Sequence, residues 1–124
     1  MDKLSVFGQG PVALKASEVA LELWVLPEEA ILSGTPETRG QVLMRQADGS
    51  RLGIWEITPG TVCDTEVDET FIVLHGRATV EIEGAEAVEL SPGAICYLPA
   101  GVRTVWHIHE TLRKVYRQFG VDAQ

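Results

Sequence analysis

Glu69, Arg113, Lys114 and Tyr116 are side chains whose types could carry acid–base chemistry if they met in one interior. A carboxylate in an apolar interior must find a cation, find hydrogen-bond donors, or take up a proton with a raised pKa. The adjacent cations Arg113 and Lys114, with Tyr116 just beyond them, are the candidates for company. Only one of the two cations faces inward on a regular strand, because side chains alternate between its faces. Leu112 and Tyr116 then go with Lys114, while Val115 and Phe119 go with Arg113. The sequence leaves that choice open; we favour Lys114 with Tyr116. A Glu69–Lys114–Tyr116 cluster can move protons, and the same residues can equally form a structural ion pair. Trp55 and Trp106 offer flat faces to a ligand, or plain core packing. His107 and His109 have the spacing of a metal-ligand pair, and His75 stands apart from them.

The elements that must position these groups are read from pattern. Residues 41–46 form a short strand, and Asp48-Gly49 is a hairpin signal. A strand over 51–58 ends at Pro59-Gly60, and runs over 70–75 and 77–83 flank Gly76 as a hairpin glycine. Gly84, Pro92-Gly93 and Ala100-Gly101 separate the shorter runs beyond residue 83, and the last runs cover 103–109 and 112–119. Short strands with turn signals about every ten residues predict an all-β sandwich or barrel. Residues 17–25 alternate like a strand (Val19, Leu21, Leu23, Val25) and could also hold one helical turn. Residues 28–40, with Ser33-Gly34-Thr35-Pro36, read as an irregular arm crossing the surface. The expected organisation is one structural domain, with an arm over residues 1–40 packed on a barrel over 41–124.

The bulk properties narrow the function classes. A chain of 124 residues can bury a core as one domain. Its net charge of -8 disfavours nucleic acid and anionic membranes as partners. Residues 1–10 lack an apolar leader behind a basic start, and no apolar run reaches the roughly 18–20 residues that span a bilayer. Two cysteines, Cys63 and Cys96, make no disulfide framework, so a cytoplasmic location is expected.

Two spacings resemble those of the cupin family of jelly-roll barrels. Glu69 is followed by Gly76, and Gly93 by Pro99 and Gly101. The family motifs have the forms G-x5-H-x-H-x3,4-E-x6-G and G-x5-P-x-G-x2-H-x3-N. Aligned on Glu69 and Gly76, the first motif's histidine positions fall on Cys63 and Thr65. The second motif's histidine and asparagine positions fall on Thr104 and Ile108. Within the family, Gly53-Ile54-Trp55-Glu56-Ile57-Thr58-Pro59-Gly60, Asp68-Glu69, Gly93-Ala94 and Trp106 with Glu110, Arg113 and Lys114 are similar to one branch. That branch joins single-domain proteins to the cupin halves of (S)-ureidoglycine aminohydrolase and to an ethanolamine-utilisation cupin. The aminohydrolase has two fused cupin domains and holds manganese with His, Glu and Gln side chains; this chain lacks the histidines.

The resemblance implies a double-stranded β-helix, or jelly roll, with Cys63, Thr65, Glu69 and Thr104 pointing into the pocket. If Thr104 points inward, so do Trp106 and Ile108, and His107 and His109 point outward. A catalytic zinc wants three protein ligands and an open position, whereas threonine hydroxyls are poor ligands. The customary metal is therefore expected to be absent or weakly held, and no cofactor is expected. Two functions fit. One is a non-catalytic barrel that binds a small metabolite through Trp106, Tyr116, Cys63, Thr65 and Thr104. The other is an enzyme of small-molecule nitrogen metabolism with Glu69 as acid or base and Lys114 as its electrostatic partner. A homodimer is expected on either account, with residues 21–26 crossing to the partner.

Overall fold

Two long antiparallel strands organise the chain. In the computed structural model, which describes residues 12–120, β6 (Asp68–Ile82) and β9 (Arg103–Phe119) pair from Asp68↔Phe119 to Ile82↔Thr104. The stretch 1–10 read for a leader lies outside the described residues. The other strands are β1 (Glu22–Trp24), β2 (Ile31–Ser33), β3 (Thr38–Arg45), β4 (Arg51–Ile57), β5 (Gly60–Thr65), β7 (Val88–Leu90) and β8 (Ile95–Leu98). The free edge of β9 is shared: β4 pairs with its second half and β5 with its first. The strand path is β1-β3-β4-β9-β5-β2, with β7 and β8 on β6. Every pairing is antiparallel. The result is the all-β jelly-roll barrel that the turn spacing predicts. No helix among the described residues is long and apolar enough to cross a membrane.

The long strands correct the expected hairpin at Gly76. Strand β6 runs through Gly76 without turning back, and its register against β9 shifts between Val73 and Ala78. Gly76 has φ +93°, and a Cβ there would lie 2.1 Å from the Thr111 carbonyl oxygen. A glycine with positive φ serves a tight turn and a bulge equally well, so the residue type alone cannot distinguish them. The runs expected over 103–109 and 112–119 likewise belong to one strand, β9.

The arm is less irregular than its composition suggests. Strand β1 pairs with β3, β2 pairs with β5, and β3 begins at Thr38. Strand β1 falls within 17–25, where the alternation reads as a strand, whereas the three residues of β2 are too few to display one. A 3-10 turn, Glu28–Ala30, joins them. Trp24 is folded over Gly40, where an added Cβ would be 2.2 Å from the indole ring. The Asp48-Gly49 turn forms as expected: Gly49 has φ +88°, and Asp48 Oδ1 accepts from the Ser50 backbone N–H at 2.9 Å.

The interior is filled by Ile57, Val62, Phe71, Val73, Val80, Leu98, Trp106, Ile108 and Leu112. The β3–β4–β9–β6 registers place inward-facing residues in rows that cross the sheet. One row is Trp55–Lys114–Val73, the next is Gly53–Tyr116–Phe71, and the outermost is Arg45–Arg51–Gln118–Glu69.

Candidate functional site

Lys114 and Glu69 meet inside the barrel. Strand β9 sends Lys114 inward and Arg113 to the other face, where Arg113 Nε donates to Glu56 Oε1 at 3.0 Å and its terminal nitrogens donate to the Ala16 and Val19 carbonyls. Lys114 Nζ donates to Glu69 Oε2 at 2.5 Å, and Gln118 Nε2 donates to Glu69 Oε1 at 2.9 Å. The side chains of Lys114 and Glu69 are 6% and 3% exposed. The ammonium lies 4.3 Å from the Phe71 ring centroid, 4.7 Å from Trp55 and 4.8 Å from Trp106. Three ring faces and one carboxylate thus replace its water shell. Trp55 and Trp106 pack edge to face at 5.7 Å, so both build this box. Tyr116 is buried beside it; Gly53 makes room, since a Cβ there would sit 2.3 Å from the phenol oxygen. Burial pushes the Tyr116 phenol up to about 12, Glu69 adds to the rise, and Arg51 and Arg45 oppose it.

A second buried carboxylate, Glu66, was not singled out in the sequence. Glu66 Oε2 accepts from Thr104 Oγ1 at 2.5 Å and from Trp106 Nε1 at 3.1 Å. Alternation alone does not find it, because the phase of β5 is set by its register against β9. The β5–β9 register pairs Val62 with Trp106 and Asp64 with Thr104, so Val62, Asp64 and Glu66 share the inner face. Cys63 and Thr65 pair with Val105 and Arg103 on the opposite face, and Cys63 Sγ points at the Glu29 carbonyl of the arm. This corrects the expectation that Cys63 and Thr65 face inward with Thr104. The cause is a one-residue phase difference: the longer of the two motif spacings puts the histidine positions on Val62 and Asp64, and a single residue swaps every side chain across the sheet. Cys63 and Thr65 still border the cavity at its rim.

Thr104, Trp106 and Ile108 are buried, as the alternation predicts, and His107 and His109 stand on the other face. There His107 contacts the Glu81 carboxylate, and His109 Nε2 lies 2.9 Å from Thr79 Oγ1. His75 Nδ1 lies 3.3 Å from the Thr111 carbonyl oxygen, beside the β6 bulge.

The cavity in front of these groups has a volume of about 830 Å³ and lies between β1, β3, β4, β5 and β9. It is walled by Trp24, Trp55, Trp106 and Tyr116, with Glu22, Asp64, Glu66, Glu69, Lys114, Arg45 and Arg51 as its charged groups. Asp64 stands at the mouth, and its carboxyl is raised to about 6. Desolvation against the wall is the largest cause, followed by the Glu66 charge; the Thr65 N–H and Lys114 oppose it, and Glu69 adds to it.

The donor set does not fit the metal customary in this fold. On the observed register the ligand positions carry Val62, Asp64, Glu69 and Thr104. Val62 offers no donor atom, the Thr104 hydroxyl is given to Glu66, and Glu69 is neutralised by Lys114. Among the described residues no three His, Cys, Asp or Glu side chains converge on a point that could hold an ion. The Lys114 ammonium lies against Glu69, where an ion bound by that carboxylate would have to sit.

Comparison with known proteins identifies the fold family. Residues 44–116 match the profile of the EutQ-like cupin domain. A protein of unknown function from Acidithiobacillus ferrooxidans superposes with a TM-score of 0.57 at 27% identity, covering 79% of this chain and 89% of that one. The EutQ protein of Clostridium difficile gives a TM-score of 0.62 at 21% identity over 71% of this chain and 66% of its own. A protein of unknown function from Pseudomonas syringae gives 0.73 at 21% identity over 81% of this chain, which spans only 44% of that protein. No curated protein gives a match.

Proposed function

The chain belongs to the EutQ-like cupin family, and from that premise we propose that it is a small single-domain cupin that binds a small polar metabolite in its barrel without a metal or other cofactor. The observation that carries this reading is the Lys114–Glu69 pair, buried among Trp55, Phe71 and Trp106 on the wall of a cavity of about 830 Å³. An ammonium has three N–H donors, and Glu69 takes one. A carbonyl or carboxylate oxygen entering between Trp55 and Trp106 meets a pre-aimed charged donor in a dry setting, where such bonds are strongest.

The test is a titration read by tryptophan fluorescence and thermal shift, using ureido compounds, purine-breakdown products and amines. Saturable binding that is lost in Lys114→Met supports the reading. Binding that Lys114→Met leaves unchanged overturns it. So does one tightly bound transition metal per chain in protein purified without a histidine tag.

A second reading, an aminohydrolase-like enzyme of nitrogen metabolism, is favoured by one observation. The Asp64 carboxyl, raised to about 6 at the cavity mouth, is suited to exchanging protons near neutrality. Glu69 is occupied by Lys114 and Gln118, so the acid–base role passes to Asp64. Turnover of any ureido or amino compound that survives Asp64→Asn sinks this second reading.

A further inference from the structure

The outermost inward-facing row brings two arginines together. Arg45 and Arg51 are direct cross-strand partners on β3 and β4, just below the Asp48-Gly49 turn. Directly opposed residues have Cβ atoms about 4.5–5.5 Å apart, and like charges there destabilise the sheet. Among the described residues neither arginine forms an ion pair with a carboxylate, although Glu22, Asp64, Glu66 and Glu69 line the same cavity. Arg45 Nε is buried and has no hydrogen-bond partner. Arg51 Nε donates to Gln118 Oε1 at 3.1 Å, so the amide, which also donates to Glu69, fixes one edge of that guanidinium. Both arginines line the same cavity as Lys114.

An acidic chain of net charge -8 has carboxylates to spare, yet among the described residues none is directly paired with these two guanidinium groups. Like charges held together at a cost to stability are expected where a ligand supplies the missing counter-charge. We infer that Arg45 and Arg51 form an oxyanion subsite that holds the carboxylate or phosphate group of the bound metabolite. Arg45 Nε and the terminal nitrogens of both guanidinium groups are the donors, a fork geometry suited to planar carboxylate or phosphate oxygens. The uncharged body of the ligand then extends along Tyr116 toward Trp55 and Lys114, one and two rows away. The inference rests on the cavity being a binding site and adds the charge and orientation of what binds.

The experiment uses the full chain and the probes inorganic phosphate, propionate and neutral propionamide, followed by calorimetry and thermal shift at constant ionic strength. Saturable binding of phosphate or propionate, weakened at least about tenfold in both Arg45→Gln and Arg51→Gln, supports the subsite. Which probe binds tighter distinguishes a phosphate from a carboxylate head group. In anion-free buffer both variants should melt at or above the wild-type temperature, because the repulsion is gone; this shows that they fold. Unchanged anion affinity in the two variants overturns the inference, as does equal affinity for propionate and propionamide. If ureido compounds or amines bind with Lys114-dependent affinity while phosphate and propionate do not, the subsite falls and the cavity reading survives. If none of these compounds binds, both fall.

Discussion

Lys114 is a cation placed where water is replaced by three ring faces and a carboxylate. Removing two charges from water costs several kcal/mol each, and only close pairing with further hydrogen bonds offsets it. The pair is therefore asymmetric under mutation. Lys114→Met should destabilise the fold by about 3–5 kcal/mol, because it strands Glu69. The double variant Lys114→Met with Glu69→Leu should recover most of that loss; urea denaturation of both reads the difference. Asp64 makes the second residue-scale prediction. Its folded carboxyl, at about 6, lies above the ordinary 3.8, so the native state binds the proton more tightly than the unfolded chain does. That contribution to stability is fully present below the ordinary value and is lost as pH rises through the folded one. Melting temperature should therefore carry a component that falls between about pH 4 and pH 6 and vanishes in Asp64→Asn. Asp64 is open to solvent at the cavity mouth, so screening keeps the effect to a few degrees.

Among the elements, β6 and β9 bear the site because they run the length of the barrel and are kept in register across a bulge. Gly76 is the hinge of that arrangement. Any side chain there collides with the Thr111 carbonyl and also needs a φ that L-residues rarely adopt. Gly76→Ala should cost about 2 kcal/mol or more and, by shifting β6 against β9, weaken ligand binding as well. Chemical denaturation together with the fluorescence titration checks both. The alternation along β9 is legible in the sequence once the resemblance places Thr104 inward: Thr104, Trp106 and Ile108 inside, His107 outside. It held because 103–108 is regular against β5. The phase of β5 was not legible, because a spacing that tolerates one extra residue cannot say whether Cys63 or Asp64 faces the pocket.

At the scale of the whole molecule, the arm strands leave apolar side chains outside. Leu23, Val25 and Leu32 are 60%, 90% and 55% exposed. These segments border the barrel mouth, since Trp24, Leu26 and Ala30 line the cavity. We propose that a second copy of the chain covers this edge in an isologous dimer. Sedimentation at several concentrations should show a dimer that Leu23→Asp with Val25→Asp converts to monomer. A monomer in the unaltered protein at all concentrations would refute it.

By itself the sequence determined the strand-and-turn grammar, the jelly-roll class, the inward set on β9 and the departure from a histidine metal cage. Those properties live in local alternation, turn residues and side-chain identity, each readable over a few neighbouring positions. Tertiary structure alone decided that Lys114 rather than Arg113 enters the barrel, that Glu66 caps Thr104 and Trp106, and that Arg45 and Arg51 stand opposed in one row. These depend on register between strands distant in sequence, and a shift of one residue in any of them reassigns every side chain to the other face.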